Sequence, residues 1–96
     1  MGIDELLKDK RAEIFRIADK HGAFNVRIFG SVARGEASLN SDVDILVEVR
    51  QQHSSFFPGG LVADLEELLG RRVDVVTVKG LNKFVRDRVL KEAVAL

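Results

Sequence analysis

The stretch Phe29–Val49, FGSVARGEASLNSDVDILVEV, decides how this chain is read. It opens on Gly30-Ser31, directly after a short apolar run. Ten residues further on it reaches Asp42-Val43-Asp44, embedded in the run Val43, Ile45, Leu46, Val47. Alternation makes Asp42 to Arg50 the strongest strand in the chain. Val43, Ile45, Val47 and Val49 share one face; Asp42, Asp44, Leu46 and Glu48 share the other. Two carboxylates so placed stand roughly 6–7 Å apart at their roots and repel each other. Hard divalent cations offset that repulsion, because Mg²⁺ takes oxygen ligands and is commonly held by one or two carboxylates plus substrate phosphates. Alone, an Asp-x-Asp pair is also what an ordinary solvated strand face carries.

The neighbours of this pair sharpen it. A glycine ahead of a helical turn lets the backbone approach a ligand closely. The free N–H groups of the turn Ser31–Gly35, with the Ser31 hydroxyl, suit phosphate oxygens. Arg34, one turn on, adds a cation there; the bland alternative is Ser31 as a helix cap and Arg34 as a solvated surface residue. Downstream, Arg72–Val78 (RVDVVTV) reads as a further strand with Asp74 between Val73 and Val75. One helix, Leu61–Leu69, separates the two acid-bearing strands. They are therefore expected to be parallel, joined by a right-handed crossover, with Asp74 beside Asp42 and Asp44. Three such acids can chelate two ions at the roughly 3.5–4 Å separation of phosphoryl-transfer sites.

Outward from this stretch, Asp4–Lys20 carries Ile3, Leu6, Leu7, Ile14, Ile17 and Ala18 at helical spacing and is predicted as one amphipathic helix, with Gly22 just past its end. Phe24–Phe29 is predicted as a strand with Phe24, Val26 and Ile28 on one face, short-linked to the Asp42–Arg50 strand and so antiparallel to it. Glu36–Ser41 is a polar connection, and Gln51–Gly60 the loosest stretch, with the one proline. Asn82 caps a last helix predicted over Lys83–Ala95. Phe15, Phe24, Phe29 and Phe84 are expected in the core, and at least one of Phe56 and Phe57 at the surface. His21 and His53 lack metal-ligand spacing. The order is α-β-α(turn)-β-α-β-α: a mixed α/β (α+β) fold with a small mixed sheet flanked by helices.

Composition bounds the rest. With 96 residues, the chain is expected to be one domain, 1–96, with a small core and no separate domain for a second substrate. Fifteen basic and fifteen acidic side chains cancel, which argues against direct nucleic-acid binding, since phosphate neutralisation calls for a basic surplus. There is no cysteine, so disulfides and thiolate metal sites are excluded. No apolar run nears the roughly 20 residues of a membrane span, and the N-terminus lacks a signal-peptide core. A cytoplasmic protein is expected.

Gly30-Ser31, ten residues and then Asp42-Val43-Asp44 resemble the signature of the polymerase-beta-like nucleotidyltransferase superfamily, most closely its minimal nucleotidyltransferase (MNT) group. The resemblance extends to Ser31-x-x-Arg34-Gly35, Ser41-Asp42-Val43-Asp44, Leu69–Val76 and Val89–Ala93, and so covers nearly the whole chain. It implies the fold of that superfamily. It also implies that Gly30 and Ser31, with Arg34 and Ser41, bind the nucleotide. Asp42, Asp44 and Asp74 would be the catalytic, magnesium-binding acids, two Mg²⁺ ions serving ATP as substrate. MNT proteins are typically paired with a HEPN-domain ribonuclease toxin, to a tyrosine of which they add AMP. The resemblance therefore implies an antitoxin that is a protein adenylyltransferase, with the acceptor supplied by the partner or by a homodimer surface. The alternatives are a non-catalytic antitoxin that occludes its partner, and nucleotidyl transfer to a small molecule.

Overall fold

The computed structural model describes residues 1–53 and 55–96; Ser54, in the loose stretch 51–60, lies outside the described residues. Its elements are α1 (Ile3–Leu6), a single 3-10 turn (Lys8–Lys10), α2 (Arg11–Lys20), β1 (Ala23–Phe29), α3 (Gly30–Ala33), β2 (Val43–Val49), α4 (Gly59–Leu69), β3 (Val73–Thr77), α5 (Lys83–Glu92) and β4 (Val94–Ala95). The strands form one mixed sheet in the order β3-β2-β1-β4. β1 and β2 are antiparallel and β2 and β3 parallel, as the short and helical connections require.

The core lies on the sheet face that carries Ile28, Val43, Ile45, Val47, Val73 and Val75, beneath Ile14 and Ala18 of α2 and Leu61 and Leu65 of α4. The strand alternation read from β2 holds: Val43 and Ile45 are fully buried, and Asp44 faces the other way. On that other face Leu46 is also fully buried, outside the main cluster. Gly70 ends α4, and Asn82 caps α5 by accepting from the Phe84 N–H at 2.8 Å.

Several expectations are corrected. The first helix is not continuous: it breaks at Leu7 (φ −124°, ψ −21°) and restarts at Arg11. The positions three and four after Leu7 are Lys10 and Arg11, so the apolar stripe lacks the residues that would hold a continuous helix onto the core. In β1, Asn25 takes φ +50° and two residues, Asn25 and Val26, oppose Val47 alone. Asparagine tolerates this backbone, and the bulge shifts the alternation by one. Ala23, Val26 and Ile28 are buried, while Phe24 turns out to lie under the Arg50 guanidinium, 5.4 Å from its ring centre. Phe15 is likewise at the surface, beside Arg11. Phe84 is 86% exposed, because α5 turns Val89 inward instead. Phe56 is exposed, as expected of that loop.

The last helix stops at Glu92 rather than Ala95. Ala93 is extended (φ −63°, ψ 137°), and β4 runs antiparallel to β1 at Arg27 and Ile28. Leu96 N–H donates to Val26 O at 3.1 Å. Without β4, β1 would be an edge strand with unpaired backbone groups. Satisfying them outweighs one more turn of helix.

Candidate active site

One end of the sheet gathers the predicted residues. β1 runs into this end, and β2 and β3 both start from it. The register pairs Phe29 with Asp44, and Asp44 with Asp74. Paired residues on neighbouring strands project from the same face, so Asp44 sits between the Phe29–Gly30 corner and Asp74. Asp42 immediately precedes β2, in a segment tied to β3 by the Val43 N–H, which donates to Arg72 O at 2.9 Å. The parallel β2–β3 pair expected from the sequence thus places Asp44 beside Asp74 in the backbone register, with Asp42 two residues ahead of Asp44.

Gly30 is required twice at this corner. Its φ is +72°, and a Cβ there would stand 2.2 Å from Asp44 Oδ2. Only a hydrogen side chain fits between the turn and the carboxylate. α3 follows at once, with Ser31 half-buried.

The electrostatics are those of crowded acids. Burial pushes the Asp44 carboxyl above its usual range, and the charges of Asp74, Asp42 and Glu92 push it further in the same direction. Arg34 alone among the named causes opposes them. Asp42 leans on Arg72, whose Nε is 3.1 Å from Oδ1; that oxygen is buried and receives no hydrogen bond of good geometry. Asp74 is exposed. Among the described residues, no three carboxylate or histidine side chains come close enough together to enclose a single ion.

Arg34 and Ser41 are committed within the chain. The Arg34 guanidinium donates to Glu92 Oε1 at 2.5 Å and to Glu36 Oε2 at 3.2 Å. Ser41 Oγ accepts from the Ser38 N–H at 2.8 Å, and its carbonyl accepts from Arg71 at 3.1 Å. These contacts close the turn that delivers Asp42 into β2.

Glu92 is the site residue that spacing alone does not single out. Its Oε2 accepts from the Gly30 N–H at 3.1 Å, while its other oxygen binds Arg34. Those two donors hold its carboxyl below the usual carboxylate range, Arg34 contributing most. One signal was available: an acid as the last residue of a helix opposes the helix dipole and needs a compensating cation. A cavity of about 700 Å³ lies at the opposite end of the strands, lined by Phe24, Glu48, Val49, Phe57 and Val78 among others. Asp42, Asp44, Asp74 and Glu92 are not among its lining residues.

This arrangement is that of a nucleotidyl-transfer enzyme. The chain belongs to the nucleotidyltransferase domain family, whose pattern matches residues 9–96. It is 42% identical over 94 residues to the provisionally named protein adenylyltransferase MJ0435 of Methanocaldococcus jannaschii, covering 98% of this chain and 97% of that one. It is 37% identical over 92 residues to protein adenylyltransferase MntA of Thermococcus cleftensis, covering 96% and 90%. Its structure superposes with a TM-score of 0.86 on one provisionally described as a minimal nucleotidyltransferase, at 42% identity over 100% of this chain and 97% of that chain. A toxin–antitoxin structure with AMP-PNP shares the fold at TM-score 0.76 and 23% identity, over 94% of this chain and 72% of that chain. The superfamily fold and the class of enzyme expected from the sequence therefore hold. Among the described residues no helix is long and apolar enough to cross a membrane.

Proposed function

We propose that this protein transfers AMP from ATP to a tyrosine hydroxyl of a partner HEPN ribonuclease toxin, and so acts as its antitoxin. The observation that carries this reading is the register Phe29–Asp44–Asp74, which sets two acids on one face beside the Gly30 corner. The names of relatives support adenylyl transfer and a toxin partner: one is a protein adenylyltransferase, another is provisionally named so, and fold neighbours come from toxin–antitoxin structures; the HEPN ribonuclease and its tyrosine come from the family resemblance.

The donor set fits magnesium. Asp42, Asp44 and Asp74 offer only carboxylate oxygens, as a hard cation prefers, and Asp44 sits where three other negative charges raise its pKa. They would hold the ions between them, Asp42 giving up its Arg72 contact. Bound there, Mg²⁺ would screen the triphosphate and favour an ionised acceptor oxygen. The chain's own groups do the remaining work. Gly30 and Ser31 hold phosphate oxygens, and Arg34 adds positive charge beside them. Asp74, the most exposed of the three acids, faces the acceptor and takes the hydroxyl proton. The tyrosine oxygen then attacks the α-phosphorus in line; the bond to the bridging oxygen breaks and pyrophosphate leaves.

The test is AMP transfer to the partner, read by mass. The wild-type protein should add one AMP unit per partner chain. The double variant Asp42→Asn/Asp44→Asn should add none while keeping its circular dichroism. Undiminished transfer by that variant sinks the proposal. A stable complex that silences the toxin without ATP, and with no mass change, would establish occlusion instead.

A further inference from the structure

The Gly30–Arg34 segment already holds an anion in this structure, and the anion is part of the chain. One oxygen of Glu92 takes the Gly30 N–H and the other takes the Arg34 guanidinium. The acceptor lies 62 residues from one donor and 58 from the other, so the contact joins the last turn of α5 to the turn after β1. Both donors are ones that the nucleotide's phosphates would need. A backbone N–H has a single hydrogen to give, so a phosphate oxygen and Glu92 cannot both hold it at full strength.

We infer that Glu92 is a built-in competitor of the nucleotide phosphates: its carboxylate occupies the Gly30 and Arg34 donors in the empty enzyme and is displaced when the triphosphate binds. This rests on the phosphate-grip role assigned to Gly30 and Arg34 above. Three features favour displacement over a permanent brace. The Glu92 side chain is 29% accessible, so it has solvent to move into. It sits at the C-terminal end of α5, where a negative charge is disfavoured without its partners. Its charge also raises the pKa of Asp44, so keeping it beside an incoming polyanion adds repulsion. Displacement would free the end of α5 and the Ala93 link to β4, coupling nucleotide binding to the chain's C-terminal segment.

The experiment is calorimetric titration of the full chain with inorganic tripolyphosphate in excess Mg²⁺, alongside AMP transfer to the partner. Glu92→Gln keeps the shape and removes the charge. It should bind tripolyphosphate about three- to tenfold more tightly than wild type, the size expected for removing one charge-assisted competitor. In the free protein, the Gly30 amide resonance should already be shifted from its wild-type position. Unchanged or weaker binding by a folded Glu92→Gln overturns the inference and makes Glu92 a fixed brace. Should that variant not fold, Glu92→Asp, too short to reach both donors, should tighten binding too, and unchanged affinity there is equally fatal. If neither wild type nor variant binds tripolyphosphate, the phosphate grip itself falls, and this inference with it. Tighter binding without any AMP transfer leaves the inference standing and removes the proposed acceptor.

Discussion

Two carboxylates of this chain are pushed in opposite directions. Asp44, at the acid end of the sheet, is raised by burial and by like charges. Asp64, on α4, is lowered, chiefly by the His21 ring and further by Lys20. His21 Nε2 donates to Asp64 Oδ2 at 2.7 Å, and the ring is buried against Gly60, where a Cβ would come within 2.9 Å of it. This contact ties the end of α2 to α4, with Lys20 Nζ 3.6 Å from the same Asp64 oxygen. The acid end does the reverse: it gathers like charges and leaves them under-compensated. Stability is assembled where α2 meets α4 and given up at the acid end, where the proposed chemistry would be done, the usual division between scaffold and site.

The largest effect should come from neutralising the crowded side of this pair. Asp44→Asn should cut AMP transfer by at least about 10²-fold, the scale of losing one main electrostatic group from a reaction centre. The same change should raise the melting temperature of the metal-free protein by roughly 2–5 °C, because a disfavoured charge is gone. Melting curves and the mass assay on one preparation check both halves. A fall in both would mean that Asp44 serves the fold as well as the site.

Gly30→Ala should come next. It forces a side chain onto the Asp44 carboxylate at positive φ. A loss of about 2–4 kcal/mol is expected, read by chemical denaturation. Smaller again is the scaffold contact: His21→Ala should lower the melting temperature by roughly 5–10 °C.

The pH dependence of the two acids should run in opposite senses. Asp64 titrates lower in the folded chain than in the unfolded one. Its contact therefore stabilises at neutral pH and is lost as pH falls through the folded value. The deficit of Asp64→Asn relative to wild type should shrink in acid. Asp44 titrates higher when folded, so the instability it causes is full above its folded value, fades as pH falls through that value and is gone only below the unfolded one. The advantage of Asp44→Asn should shrink in acid as well, from the other side. Thermal melts at pH 7 and in acid separate the two cases. The smallest effect is expected at Phe84→Ser, which should stay within about 0.5 kcal/mol of wild type, since the ring is 86% exposed.

Much of the acid end was legible because it depends on short-range rules. Alternation in β2 sorts Asp44 from Ile45, and one intervening helix makes β2 and β3 parallel. From those two facts the Asp44–Asp74 pairing follows. What was not legible depends on contacts far apart in the chain or on single backbone angles. The bulge rests on Asn25 alone, and an asparagine in a strand is too common to announce one. β4 exists because β1 had a free edge, which no local pattern around Val94 can express. Phe84 is misjudged by its hydrophobicity, as the phase of α5 is set by Val89. Glu92 finds Gly30 only once the last helix has folded back across the sheet.

The strand order leaves β3 with a neighbour on one side only among the described residues. Five residues long, it offers unpaired backbone to any other extended chain. Its second residue is Asp74, solvent-exposed and charged. The acid assigned to the acceptor thus also guards an open seam, since two copies meeting edge to edge there would bring two carboxylates together. Removing that charge would do more than silence a reaction: it would take away a deterrent to self-association, and concentrated solutions of an Asp74→Val protein should cloud before those of the native chain.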